Sequence, residues 1–153
     1  MFYKKTTILL FSLLLYQSPL LSKSTSFNEF NSKNLSKYFS GIVAFENRNN
    51  SEALDFFKSS KILINQHDPY LEKFIMSLVF DDQVAQAINI IKINNKKSNS
   101  DFFEAYILLA LDSLKKNNIN KASEVLANVP KYLQKDRFSF IILDSLKQYI
   151  DVF

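Results

Sequence analysis

Ala53-Leu54-Asp55-Phe56-Phe57, Ala87-Ile88-Asn89-Ile90-Ile91 and Ala122-Ser123-Glu124-Val125-Leu126 share one pattern, an alanine followed four positions later by a large apolar residue. The alanines lie 34 and 35 residues apart. Twelve positions ahead of them stand Gly41, Ile75 and Ala110, with the same spacing. Two sets of markers sharing one period point to an internal repeat rather than to a bundle of helices that merely have similar lengths. In such a repeat a small residue lets two helices approach closely. The large residue four positions on, on the same face, fills the adjoining gap.

Outward from these markers, apolar residues recur at spacings of three and four, the helical period. The pattern predicts helices at roughly Leu35 to Asn47, Ser51 to Ile64, Pro69 to Phe80, Gln83 to Ile93, Asp101 to Lys116, Ile119 to Asn128 and Asp136 to Asp151. The breaks between them are short and polar: Asn49-Asn50-Ser51, Asp68-Pro69, Asp81-Asp82, Ser98 to Asp101 and Asn117-Asn118. Such residues cap helix starts, and Pro69 suits a first helical turn. One Gly and three Pro among 153 residues are too few for the tight turns of a strand-rich fold, and 47% hydrophobic with 22% charged residues is a globular balance. The expected class is therefore all-α.

The helices fall into pairs, and their markers resemble the tetratricopeptide repeat, in which an Ala in the second helix of each pair is followed four residues later by Phe or another large apolar residue. The first unit offers Gly41, Ala44, Ala53 and Phe57; the second Leu71, Phe74, Leu78, Ala87 and Ile91; the third Tyr106, Leu109, Ala110, Ala122 and Leu126. The likeness runs from Asn34 to about Pro130 and continues weakly to the end. It departs from the pattern at Lys37 and Ser40, which replace apolar residues, at Ile75, which replaces a small one, and in the repeat-ending proline, which is missing or displaced. The resemblance implies an α-α superhelix, a solenoid of about three and a half helix-turn-helix repeats. Phe138 to Phe153 would be a first helix without its second, so residues 34–153 are read as the N-terminal part of a longer solenoid.

Ahead of this domain, Lys4 and Lys5 precede the apolar Ile8 to Leu15, and Gln17 and Pro19 precede Ser22-Lys23-Ser24. That is the layout of a secretory signal over residues 1–24, with a signal anchor as the variant, followed by a polar leader at 25–33. The expected location is exported, periplasmic or envelope-associated, with membrane contact only through this segment if it is uncleaved. Removing its three lysines leaves 16 basic against 15 acidic residues, a near-neutral body with no electrostatic case for nucleic acid.

Little in the chain suggests catalysis. His67 is the single imidazole and sits in a polar turn, there is no Cys, and one Gly cannot build a phosphate-cradling loop. Asp81-Asp82 lacks the surrounding ligands of a calcium loop and reads as helix-start charge. No catalytic, metal or cofactor residues are expected, and the protein is not expected to be an enzyme.

In proteins of the family it resembles, the first helix of each pair lines a concave groove. Carried over by register, that groove takes Tyr38, Ile42 and Phe45, with Leu35, from the first unit. It takes Met76 and Val79, with Glu72, from the second, and Ile107, Leu111 and Leu114 from the third. This lining is largely apolar and lacks the basic set that grips a chaperone's carboxylate tail. It suits an amphipathic helix or extended apolar segment of a protein partner, unless the leader or later repeats fill it. The expected function is a protein-interaction scaffold of a bacterial envelope; the alternative is the helical arm of an envelope enzyme such as a lytic transglycosylase.

Overall fold

The computed structural model describes residues 31–94, 101–134 and 136–152. The expected signal segment, most of the leader and most of the break before Asp101 lie outside the described residues. Within them the chain is all-α, with helices α1 (Ser32–Glu46), α2 (Asn50–Ser59), α3 (Asp68–Phe80), α4 (Val84–Asn94), α5 (Phe103–Lys115), α6 (Ile119–Ala127) and α7 (Arg137–Asp151). Short 3-10 turns at Lys61–Asn65 and Lys131–Leu133 join α2 to α3 and α6 to α7. Each helix packs on the next in sequence, and α1 also reaches α3. No described helix is long and apolar enough to cross a membrane.

The turns inside the pairs α1-α2, α3-α4 and α5-α6 are built alike. Each holds one residue in the left-handed region, Arg48 at φ 61°, Asp82 at 59° and Asn117 at 55°. Its N–H donates back to Phe45, Val79 or Leu114 at 2.9, 3.2 and 2.9 Å. The next N–H, of Asn49, Gln83 or Asn118, reaches Ala44, Leu78 or Ser113 at 2.9, 2.8 and 2.9 Å. These two bonds satisfy carbonyls that a helix end leaves open, and a positive φ is what lets the chain make both. Five residues past the left-handed one, Ala53, Ala87 and Ala122 donate to the carbonyls of Asn49, Gln83 and Asn118, which places each alanine in the first turn of the returning helix.

Those alanines are fully buried, as are Phe57, Ile91 and Leu126 four positions on, and Gly41, Ile75 and Ala110 on the opposing helices. One core cluster runs from Tyr38 to Ala105, with Tyr38, Phe57, Tyr70 and Phe74 meeting in tilted and edge-on pairs at ring distances of 5.7 to 6.0 Å. A second holds Ala110, Ala122, Leu126, Val129, Leu143 and Ile150. Helix α5 serves both: Leu108 and Leu109 pack on the first, Ile107 and Leu114 on the second.

Several predicted boundaries shift for identifiable reasons. α1 starts at Ser32 rather than Leu35 because Asn31 accepts from the Lys33 N–H at 2.9 Å, so Ser32 and Lys33 belong to the helix and not to a leader. α2 ends at Ser59 rather than Ile64. The buried Ser60 hydroxyl turns back onto the carbonyls of Phe56 and Phe57 at 2.9 and 3.3 Å, and Tyr70 donates to the same Phe57 carbonyl, which leaves a 3-10 turn to follow. Asp101 does not cap α5; it accepts from Tyr106 at 2.5 Å and from Tyr132, tying α5 to the turn after α6. Asp81 and Asp82 are not helix-start charges but the end of α3 and its left-handed turn. There Asp81 accepts from Ser51 at 2.8 Å and joins α3 to the start of α2.

Two outcomes follow for stability. A non-glycine residue held left-handed costs roughly 1–2 kcal/mol, least for Asn, so Arg48→Gly is expected to stabilise the chain by about 1 kcal/mol net of unfolded-state entropy, and Asn117→Gly by less. Urea unfolding reads this, and a less stable Arg48→Gly contradicts it. At Gly41 a Cβ would meet Phe57 Cε1 at 2.9 Å and Phe56 Cβ at 3.2 Å, and Phe57 has no exposed surface into which to retreat. Overpacking of about 1–3 kcal/mol outweighs the roughly 1 kcal/mol gained in helix propensity. Gly41→Ala should therefore unfold at lower urea, whereas a higher midpoint would show that the helices are not in close contact.

Candidate functional site

The first helices of the second and third pairs, together with α7, enclose a cavity of about 290 Å³. α3 gives it Met76 and Val79, α5 gives Phe103, Glu104, Ile107 and Leu108, and the start of α7 gives Asp136, Phe138, Ser139 and Ile142. The same residue spacing relates two of the walls: Phe138 stands 35 residues after Phe103, and Ile142 stands 35 after Ile107. Asp136 caps α7, accepting from the Ser139 N–H at 2.7 Å and from its hydroxyl at 2.8 Å, which holds this carboxyl below the usual range. Phe138, one residue into the helix, remains 74% exposed at the cavity edge.

Three of the expected groove residues, Met76, Val79 and Ile107, come together here. Leu111, the next turn along α5, is 44% exposed, and Leu114 packs against the second core. The first unit behaves differently. Tyr38 is only 5% exposed and belongs to the aromatic core, with its ring edge-on to His67 at 4.8 Å. Ile42 and Phe45 are half-buried against the same core, and Phe45 is covered by Phe80 at 5.6 Å and by the Lys73 ammonium 5.3 Å from its ring. The open lining is therefore shifted toward the third unit and α7. Phe103, Leu108, Phe138 and Ile142 were not among the expected residues, although the 35-residue spacing marks two of them.

Among the described residues the lining contains two carboxylates, Glu104 and Asp136, and no Lys, Arg or His. Glu72 stands one turn before Met76 on α3, and its carboxyl is held above the ordinary range. Burial is the main cause and the like charge of Glu104 the second, with Lys73 acting in the opposite sense. Tyr38, across from it on α1, is likewise pushed up by burial and by the Glu72 charge.

Two other hollows are of different character. One of about 590 Å³ between α4, α5 and α6 is charged but internally paired: Asp112 accepts from Lys92 at 2.6 Å and Lys116 at 2.8 Å, and Lys121 meets Glu124 at 2.9 Å. The other, about 560 Å³, lies on the outer face of α1 and α2 beside Phe39, Val43 and Phe56. Among the described residues no group of three or more His, Asp or Glu side chains is placed to hold a metal.

Comparison with family models, with curated proteins and with solved structures gives no match to this chain.

The raised Glu72 value makes the stability of the fold depend on pH. Its folded-state value lies above the unfolded one, so the folded chain holds the proton more tightly, and the ionised carboxylate destabilises the fold once pH rises through that window. Glu72→Gln should raise the melting temperature at pH 7, and the gain should shrink as pH falls toward 4, below the ordinary value of 4.5. A gain of equal size at both pH values would show that charge is not the cause.

Proposed function

We propose that this chain is an exported, tetratricopeptide-like solenoid that acts as a non-enzymatic scaffold, holding a segment of another protein in its concave groove. The observation that carries this reading is the cavity walled by the first helices of successive pairs, where Met76, Val79, Ile107 and Ile142 converge from three helices. The three matching turns and the buried small residues support the repeat. Sequential packing of each helix on the next suits a quasi-one-dimensional array. Export to a bacterial envelope rests on the charge and hydropathy of residues 1–24.

The cavity lies at the lower end of the roughly 300–1,000 Å³ that ligand pockets occupy, which is room for anchoring side chains rather than a whole small molecule. Burying an apolar anchor returns roughly 25 cal/mol per Å² removed from water, so a partner segment with two or three large side chains on one face is the matching ligand.

Selection from a phage-displayed peptide library against the full chain tests this. Selected peptides are expected to be amphipathic and to lose about tenfold or more in affinity to Phe138→Asp, since a charge facing a docked apolar side chain costs on the order of 1–3 kcal/mol. Phe138 is exposed enough that the variant should melt like the parent. Peptides that bind parent and variant equally would contradict the groove.

A further inference from the structure

The partner's chemistry can be narrowed, on the basis of the groove reading above: we propose that the segment it takes is an amphipathic helix carrying lysine or arginine beside its large apolar side chains. The apolar lining selects the anchors, and the charges around it select the flanks. Glu104 and Asp136 line the cavity, and Glu72 stands one turn from Met76, close enough to Glu104 for their charges to oppose each other. Among the described residues no basic side chain lines it. Asp136 commits both oxygens to Ser139 yet keeps its negative charge there. Lys73, next to Glu72 in sequence, lies over the Phe45 ring of α1, and Arg137, next to Asp136, is exposed and outside the lining.

Two carboxylates on neighbouring helices, partly shielded from water, repel one another in the empty groove. A cation between them removes that repulsion and adds attraction to both, in a setting less screened than open surface. An acidic segment would face three charges of its own sign, and an anionic lipid surface would meet the same repulsion. The chain's own residues 25–30 are a poor match too, since they carry Glu29 and no base. Charge pattern of this kind sets which partner is chosen more than how tightly an apolar anchor holds.

The test uses three synthetic amphipathic peptides with an identical apolar face and with two flanking residues set to lysine, glutamine or glutamate. Each is titrated into the full chain by fluorescence anisotropy, at low and at high salt. The lysine peptide should bind about tenfold more tightly than the glutamine one, the scale of a charge-assisted contact, with the glutamate peptide weakest and the differences shrinking in high salt. Glu72→Gln/Glu104→Gln should narrow the spread among the three peptides to what Asp136 sustains, and Glu104→Gln alone should narrow it less; an unchanged spread in the double variant would overturn the charge preference. Equal affinity of all three peptides, each still weakened by Phe138→Asp, would overturn the charge preference and leave the groove standing. No binding by any peptide, or binding indifferent to Phe138→Asp, would overturn both. Tighter lysine-peptide binding after deletion of residues 25–30 would place the chain's own leader in the groove, overturning the proposal of an external partner.

Discussion

The turn that closes each helix pair sets the register for everything packed upon it. A residue at positive φ lets two successive N–H groups reach back to the carbonyls of the helix just ended, and the chain then reverses in a fixed geometry. From that point the count is constant: five residues to a buried alanine, nine to a buried Phe, Ile or Leu. Because the reversal is the same at Arg48, Asp82 and Asn117, the small residue always arrives buried in the first turn of the returning helix. None of these turns uses glycine. The sole Gly is kept for position 41, where even a methyl group would collide with Phe57.

The units are unequal in how they spend their aromatic residues. Tyr38, Phe57, Tyr70 and Phe74 fuse the first pair to the second, with the Tyr70 hydroxyl satisfied by the Phe57 carbonyl at the end of α2. That density closes the first part of the expected groove by drawing Tyr38 into the core. Toward the C-terminal end the buried residues are aliphatic, with Phe103 and Tyr106 only partly buried against them, and α7 meets α5 with Phe138 and Ile142 at the edge of a cavity instead of a filled core. The cavity thus lies on the side of the molecule with fewer buried rings.

The helices and their pairing were legible in the sequence because apolar spacing and short polar breaks are local signals, and the 34- and 35-residue period joins them. Helix ends were less so. Whether Asn31 caps, whether Ser60 turns its hydroxyl back on the preceding carbonyls, and whether Asp101 serves a helix or two tyrosines depend on side-chain geometry that no spacing carries. In the site, Met76, Val79 and Ile107 followed from register, and Ile142 could have followed from the same count. Tyr38 could not be placed by register, because an aromatic at a groove position turns inward when His67, Tyr70 and Phe57 offer it a pocket. The acidic bias of the groove was present only as Glu72; it becomes visible once α3 and α5 bring Glu72 and Glu104 near each other.

The proposed repeat array is tested most directly by duplicating residues 68–101, one full period, in tandem within the chain and following urea unfolding by circular dichroism. If each unit docks only on its neighbours, the longer chain folds cooperatively, with a higher midpoint and a steeper denaturant slope in proportion to the added buried surface. A closed bundle has no place for a fourth pair. Loss of the cooperative transition, or a midpoint below that of the parent, would contradict the account.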